Sequence, residues 1–337
     1  MKKMIPCLVF LCLLSCKGAD LMIPAVVPGE NPSNQKNWLI PKTKVLDGGP
    51  GKDGIPAVDQ PKFKNVNDAI HNYLRDENRV LAYRSGSTIK AYPHPILDWH
   101  EIVNDQIGTD QIALTYCPLT GTGIGWGRIL NGASTTFGVS GLLFESNLMP
   151  YDRLTDSTWS QMFNQCVNGS LATEKPEFFN FVELNFGALK KWFPNAEVLT
   201  TETGFNWDYA NYPYGNYLVT ESTIFPVTTS DSRLHSKEIV RVVIEENQVK
   251  AYQYPSKGRK LIFDTVDQKS IVVVGDREND FLQSYYPFIP DTDTELELEL
   301  EQRSESNIVF RYQFDNAWDI FGVAVSGPNK GAQLKIP

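Results

Sequence analysis

The sequence has little of what marks several large classes of protein. Four histidines occur among 337 residues, and no glycine-rich phosphate loop or dinucleotide fingerprint follows a strand-like segment. This absence argues against a nucleotide cofactor. Lysine and arginine total 31 against 40 aspartate and glutamate residues, which gives a formal net charge of −9. Because nucleic acids and anionic lipids attract basic surfaces, this balance argues against a nucleic-acid partner and against electrostatic docking on a membrane.

Long hydrophobic runs are also scarce. Residues 4–14 form an apolar run behind Lys2 and Lys3, but this run is shorter than the roughly 20 residues that span a bilayer. It is typical of a secretory signal. The string "LLSC", which ends at Cys16, resembles a bacterial lipobox, in which the signal is cut before the cysteine and the thiol is acylated. The alternative is an ordinary cleaved signal with a chance cysteine.

We therefore predict a lipoprotein signal peptide over residues 1–15 and a lipidated N-terminus and tether over residues 16–40, with Cys16 as the lipidated residue. Several acyl chains at one terminus are sufficient for stable anchoring. The predicted location is the bacterial cell envelope, on the periplasmic or surface side, with the lipid as the only membrane contact.

This interpretation leaves two cysteines in the folded part of the chain. Cys7 and Cys12 leave with the signal, so Cys117 and Cys166 remain. An exported protein meets conditions that permit disulfides. The sequence leaves open whether these two thiols pair.

The hydrophobic patterns predict an α+β fold that is rich in strands. Residues 79–93 read as a hairpin and residues 111–117 as a strand, and alternation makes "ELELELE" (295–301) a half-buried strand. Helical spacing predicts short helices over 65–74, 95–105 and 184–194.

The chain also resembles itself at an offset of about 160 residues. "TIKAYP" (88–93) returns in "QVKAYQYP" (248–255), "IALTYC" lines up with "IVVVGD", and the segment around Trp159 lines up with that around Trp318. We predict two tandem, diverged β units, residues 41–222 (the first half) and residues 223–337 (the second half), packed together. A cleft between them is a plausible ligand site.

The residues that differ between the two units are candidates for function. His100 and Cys117 have no counterpart in the second unit, where the matching places lie near Lys260 and Asp276. Within residues 95–105, the helical period puts His100 on the buried stripe and turns Glu101 and Asp105 away from it.

Several strings resemble a known family. "AYPHPILDWHEIVND", "ALTYCPLTGTGIGW", "FGVSGLLFESNLMPYDRLTDSTWSQ", "RLHSKEIV" and "FGVAVSGPNKGAQL" look like domain-of-unknown-function family 3179 (DUF3179), found in exported bacterial and archaeal proteins. The resemblance covers roughly residues 45–335. It implies an uncharacterised protein, because the family's activity is not established. The motif positions that map here are His100, Glu101, Asn104, Asp105, Tyr116, Cys117, Pro118, Tyr151, Asp152, Arg153, Trp159, Ser160, His235, Lys237 and Glu238.

One departure from the family pattern concerns the thiol. Many relatives read Cys-Pro-Leu-Cys, whereas this chain has Thr120 in place of the second cysteine. A dithiol redox role at this turn is therefore excluded for this chain.

A soft-metal site is the first functional hypothesis. Thiolate and imidazole ligands suit copper or zinc, so the candidate ligands are His100, Cys117 and His235, with His94 as a weaker fourth. No recognised ligand spacing connects them. The alternative for His100 is a core histidine bonded to Asp152 or Asp105, and for His235 a surface residue.

A cysteine enzyme, such as a hydrolase or acyl transferase, is the second hypothesis. Cys117 would be the catalytic nucleophile, activated by His100 or His235. Pro118 makes this arrangement awkward, because proline has no N–H to serve as an oxyanion donor.

A non-catalytic binding protein is the third hypothesis and the one we favour, with a small ligand, a glycan or a peptide as its partner. Aromatic residues make up 12% of the chain, although Trp159 and Trp318 fall in repeated segments and are expected in the core. Arg153 could bind a carboxylate ligand, or Asp152 or Glu101 internally. Whether the chain is an enzyme stays open at this point.

Overall fold

The protein is described from a computed structural model, which covers residues 38–288, 295–301, 305–312 and 316–337. The predicted signal, the predicted lipidation site Cys16 and most of the predicted tether lie outside the described residues. Within the described ranges, no helix combines the length and hydropathy that a membrane span requires.

Short strands dominate the first half, as the hydrophobic patterns predict. It also contains the two described α-helices, α1 (His94–His100) and α2 (Phe186–Trp192). Its strands are β1 (Val45–Asp47), β2 (Phe63–Asn65), β3 (Arg79–Ser85), β4 (Thr88–Pro93), β5 (Ile102–Ile107), β6 (Asp110–Cys117), β7 (Thr122–Gly127), β8 (Ile129–Leu130), β9 (Ala133–Ser134), β10 (Phe137–Phe144), β11 (Asn147–Asp152), β12 (Thr158–Ser160), β13 (Gln165–Asn168), β14 (Phe178–Phe179), β15 (Val182–Asn185) and β16 (Glu197–Leu199).

The second half is described by strands and one turn of 3₁₀ helix, Arg277–Asn279. Further 3₁₀ turns in the first half are Lys42–Lys44, Ala69–His71 and Tyr217–Val219. The strands of the second half are β17 (Val240–Ile244), β18 (Val249–Gln253), β19 (Arg259–Val266), β20 (Lys269–Asp276), β21 (Phe281–Tyr285), β22 (Glu299–Leu300), β23 (Ile308–Tyr312), β24 (Asn316–Asp319) and β25 (Ala324–Ser326).

The strands of the first half form three main sheets, in the orders β1-β10-β11-β12-β13, β14-β7-β6-β5 and β15-β3-β4-β16-β2. Strand β16 pairs with β4 in parallel, and the other pairings in these sheets are antiparallel. In the second half, the sheets are β17-β18, β19-β20-β21 and β22-β23-β24-β25. The predicted β-rich fold with few helices is confirmed.

The two halves share one hydrophobic core. Val182 and Leu184 of β15 pack in the same buried cluster as Val272 of β20 and Phe310 of β23. A second cluster, within the first half, contains Cys117 and the buried Trp159. The halves therefore cover part of each other's apolar surface, although each half also has a buried cluster of its own.

The predicted helix over 95–105 was too long. Helix α1 ends at His100, because Glu101 adopts φ 58° and leaves the right-handed helix. From Ile102 the chain is a strand paired along its length with β6. Consequently Glu101 and Asp105, which the helical period turned away from the buried stripe, are both buried.

Three other boundaries differ from the prediction. Over residues 65–74 no α-helix forms, since Asn65 ends β2 and the helical part is the 3₁₀ turn at Ala69–His71. Helix α2 starts two residues after 184 because the Asn185 side chain caps it, accepting from the Ala188 N–H at 2.8 Å. In "ELELELE", Leu296 and Leu298 are buried as alternation predicts, but only Glu299–Leu300 is paired as a strand.

Candidate functional site

A large cleft lies between the two halves, with a volume of about 1760 Å³. On the first half, its walls are the turn at residues 118–121, which follows β6, and the β10–β11 turn at Glu145 and Ser146. On the second half, the β17–β18 hairpin and the start of β19 line it, and the connecting segment 217–239 completes it. We call this the inter-half cleft.

Two sequence motifs that are far apart in the chain meet in the inter-half cleft. Pro118 comes from the turn that follows Cys117, while His235, Lys237 and Glu238 come from the "RLHSKEIV" segment. The cleft is thus lined by positions that the family resemblance had already marked in both halves.

Lys237 holds one wall of the cleft together. Its ammonium donates to the carbonyl oxygens of Tyr217, Thr220 and Ser222 at 3.2, 2.9 and 2.9 Å. Its nitrogen also lies over the Tyr217 ring, 3.6 Å from the ring centroid. Lys237 therefore fixes the connecting segment next to the first strand of the second half.

Cys117 ends β6 and does not itself line the cleft, although its neighbours Pro118 and Ser146 do. Its side chain is 1% exposed, and its sulfur lies 3.8 Å from the Ser146 carbonyl oxygen. Burial, and then the neighbouring Glu101 carboxyl, raise the pKa of the Cys117 thiol. The group is therefore a neutral thiol at neutral pH and not an activated thiolate.

Glu101 is the acidic neighbour of this thiol. Its carboxyl is buried, and burial raises its pKa to about 8, although the Tyr214 hydroxyl donates to it at 3.4 Å. Since the pKa exceeds 7, the carboxyl is mostly protonated at neutral pH. The left-handed backbone of Glu101 turns the chain from α1 into β5 at this point.

A group of tyrosines surrounds the thiol, and the sequence interpretation missed it. Tyr212, Tyr214 and Tyr217 belong to the string "YPYGNY" and pack in the same cluster as Cys117. Burial raises the pKa of all three phenols, and the Tyr217 hydroxyl donates to the Leu119 carbonyl at 3.0 Å. In the sequence, three tyrosines within six residues were the signal that could have indicated an aromatic cluster around Cys117.

His100 does not pair with Cys117. One ring nitrogen, Nδ1, lies 2.7 Å from the Pro56 carbonyl oxygen, and the other, Nε2, lies 2.7 Å from the Tyr209 hydroxyl. The ring also stacks on Trp207 with centroids 4.7 Å apart. His100 is a core histidine, as the alternative interpretation held, but its partners are Pro56 and Tyr209 and not Asp152 or Asp105.

The other two candidate histidines lie in different surroundings. His235 is exposed at the mouth of the cleft, where its Nδ1 accepts from the Lys237 N–H at 3.1 Å and its Nε2 lies 3.7 Å from Glu221. The His94 Nδ1 lies 3.2 Å from the Tyr116 hydroxyl, and its Nε2 lies 3.4 Å from Glu183. Over the part of the chain that the structure describes, no group of three or more His, Cys, Asp or Glu side chains is placed to hold a metal ion.

Three further motif residues, Asn104, Tyr151 and Arg153, support the loop that precedes β2. Arg153 donates to Asp59 at 2.7 Å and lies 3.6 Å from Asp53, so its carboxylate partners are neither Asp152 nor Glu101. Asn104 also donates to Asp59, at 2.7 Å, and the Tyr151 hydroxyl donates to Asp53. These contacts give the three residues a structural role.

Asp105, Asp152 and Trp159 are also engaged inside the protein. Asp105 accepts from Lys90 at 2.9 Å and from Tyr92 at 2.6 Å. The Trp159 indole donates to buried Asp152 at 3.0 Å. None of these three side chains lines the inter-half cleft.

Cys117 and Cys166 are both free and buried, so the bridge that the sequence permitted is not formed. The Cys166 sulfur lies 3.5 Å from the Thr158 carbonyl oxygen, and burial raises its pKa to about 11. Both thiols are therefore unionised at neutral pH.

Comparison with known proteins gives one match. A family model described as "Protein of unknown function (DUF3179)" matches residues 52–337. No curated protein and no solved structure matches the chain.

Proposed function

This chain belongs to the DUF3179 family, and we propose that it is a non-catalytic binding protein that takes its ligand in the inter-half cleft. The observation that carries this proposal is the meeting of two motifs in that cleft. Pro118 from the first half and His235, Lys237 and Glu238 from the connecting segment line one cavity, although they are remote in sequence. Large concave surfaces with a few polar groups are the usual places for ligands.

The state of the thiol favours binding over catalysis by a cysteine nucleophile. Burial raises the pKa of Cys117, and both nitrogens of His100 are engaged by other partners. A nucleophilic cysteine needs a base within hydrogen-bonding distance or a lowered pKa. Pro118 also lacks the N–H that would follow the nucleophile.

A copper or zinc site receives less support than binding of an organic ligand. Cys117 and His100 would both have to act as ligands, and His100 would first have to release Pro56 and Tyr209. His235 lies at the exposed mouth of the cleft, whereas Cys117 is buried and does not line the cleft.

We also propose that the two halves are diverged tandem units that enclose the cleft. A matching network supports this. Lys90 and Tyr92 donate to Asp105 in the first half, and Lys250 and Tyr252 donate to Asp264 in the second. In both halves the next backbone N–H donates to the same aspartate at 2.7 Å.

The proposed setting is the cell envelope. The signal-like residues 1–15 and the lipobox-like ending at Cys16 support export and anchoring by lipid. A tether of some twenty residues would let the inter-half cleft face the space beyond the membrane surface.

Ligand-observed NMR on the full chain tests the proposal with a defined panel of short synthetic peptides and cell-wall oligosaccharides. Leu218→Trp adds bulk at an exposed leucine that lines the cleft, and Leu154→Trp does so at an exposed leucine that does not. We expect at least one panel member to bind and Leu218→Trp to weaken it by about tenfold, or ~1.4 kcal/mol. Binding that is lost in Leu154→Trp but kept in Leu218→Trp would overturn the proposal, as would a panel without any binder.

A further inference from the structure

Strand β17 lines the inter-half cleft and, in the described part of the chain, has an open outer edge, whereas the corresponding strand of the first half, β3, is covered by a further strand. In the first half, β3 of the β3–β4 hairpin is covered along its outer edge by β15. In that register, Val182 pairs with Ala82 and Leu184 pairs with Val80. The side chains of Val80 and Ala82 are fully buried beneath this part of the fold.

Strand β17 occupies the equivalent position in the second half. Lys90 and Tyr92 on β4 match Lys250 and Tyr252 on β18 through their shared aspartate networks. Lys90 pairs with Tyr83, and Lys250 pairs with Val243. The β3 residue Ala82, which β15 covers, therefore corresponds to Val242 of β17.

The outer edge of β17 is open. Among the described residues, β17 pairs only with β18. The Glu245 N–H donates across the hairpin to the Gln248 carbonyl at 2.9 Å, and alternation along the strand then directs the backbone groups of Val240, Val242 and Ile244 outward. The Val242 and Ile244 side chains are 41% and 50% exposed.

The walls around this open edge favour an extended chain as its occupant. Val240 and Val242 line the inter-half cleft, with the connecting segment and the turn at Glu145 and Ser146 also lining it. A single extended chain can enter such a cleft, whereas the edge of a second folded copy would meet these walls. Exposed strand edges recruit extended peptides through main-chain hydrogen bonds, with side-chain pockets adding specificity.

We propose that β17 accepts an extended peptide as an added antiparallel strand, with apolar residues at alternate positions of the peptide. The inference rests on the proposed function, since it names the ligand class of the inter-half cleft. The covering strand β15 is the pattern for the occupant, because its Val182 and Leu184 alternate in this way.

The test uses a fluorescent synthetic peptide with the sequence of residues 180–186, NFVELNF, and the full chain. Fluorescence anisotropy measures its affinity, and a control peptide carries aspartate in place of the valine and the leucine. Val242→Pro removes one outward N–H from β17, and Val249→Pro removes one from the opposite edge of the same hairpin, at a residue that does not line the cleft. The far-ultraviolet circular dichroism of each variant shows whether it is folded.

We expect the parent to bind NFVELNF and not the aspartate control. Val242→Pro should weaken binding by about tenfold or more, as expected for one or two lost backbone hydrogen bonds. Val249→Pro should change it by less than about twofold. Where a proline variant fails to fold, Val242→Lys and Val249→Lys replace it, because Val242 is exposed and Val249 is partly exposed and an edge lysine opposes strand addition.

Three results would overturn the inference. Equal effects of the β17 and β18 variants would exclude the open edge. A parent dimer that Val242→Lys converts to a monomer in sedimentation would identify a second copy as the occupant. Peptide binding that appears only after Ile23→Asp would identify the N-terminal segment of this chain. If oligosaccharides bind in the cleft and peptides do not, the proposed function stands and this inference fails.

Discussion

Strands β6 and β20, which the proposed tandem units would place in matching positions, end in buried polar groups with different surroundings. At the end of β20, buried Asp276 accepts from the Arg259 guanidinium at 2.7 and 3.0 Å and from Asn279 at 2.8 Å. At the end of β6, Cys117 lies beside Glu101, whose hydrogen bond from Tyr214 is 3.4 Å long. The second half pairs its buried acid with a cation, while the first half keeps its acid protonated.

The difference concerns how firmly each strand end fixes its geometry. A buried ion pair with several hydrogen bonds fixes one geometry, because losing either partner leaves an uncompensated charge. A neutral thiol and a protonated carboxyl impose no such requirement. The region of β6 next to the inter-half cleft is thus free of fixed charge, and the cleft floor can accept an uncharged ligand surface.

The largest expected effect comes from breaking the ion pair of the second half. Asp276→Leu leaves the buried Arg259 guanidinium without its carboxylate, so the free energy of unfolding should fall by about 3–5 kcal/mol in urea titrations. Cys117→Ala is the matched change at the end of β6 and should cost only about 1–2 kcal/mol, mainly for lost packing. An equal cost for the two variants would contradict the contrast drawn between these strand ends.

The next effect depends on pH and concerns Glu101. A carboxyl whose folded pKa is raised to about 8 holds its proton in the folded state, so stability is present below the unfolded pKa near 4.5 and is lost as the pH rises toward and through 8. Glu101→Gln removes this loss. The variant should exceed the parent by about 2–4 kcal/mol at pH 9 and match it within about 1 kcal/mol at pH 5.

Urea titrations at the two pH values measure this difference. Glu238→Gln, at an exposed position, controls for the loss of a carboxylate without burial. A Glu101→Gln variant that is less stable than the parent at pH 9 would show that the folded protein stabilises the ionised carboxylate, and the comparison with Asp276 would then fail.

The smallest effect compares two buried tryptophans, one in each half. The Trp159 indole donates to Asp152 at 3.0 Å, whereas the buried Trp318 indole N–H has no acceptor within the described part of the chain. Trp159→Phe should therefore cost about 1–3 kcal/mol more than Trp318→Phe, because only the first loses a bond to a charged group. Thermal unfolding of both variants measures this difference, and equal costs would contradict it.

Local patterns predicted local structure well. The hairpin of β3 and β4 was predicted because Ser85 and Gly86 mark a turn between two strand-like runs that are neighbours in sequence. The helix over 95–105 was extended too far, because Val103 continues the helical stripe of Ile96 and His100 as well as it fits a strand. Only the left-handed backbone of Glu101 decides between them.

The candidate site could be predicted only in part. Cys117 was identified from its turn, but its neighbours Tyr212, Tyr214 and Tyr217 come from a segment about a hundred residues later. The role of β15 over β3, and the open edge of β17, follow from long-range pairing that no local pattern records. Burial of His100 was predicted correctly, while its partners Pro56 and Tyr209 were not.

The clamp formed by Lys237 has a thermodynamic consequence for the inter-half cleft. Its ammonium ties carbonyl groups of residues 217, 220 and 222 to the start of the second half, and so closes a loop of about twenty residues on itself. Closing a loop restricts its conformational entropy. The chain loses this entropy when the protein folds. A ligand that enters the cleft therefore meets a wall that is already ordered, and less of its binding free energy is used to order that wall.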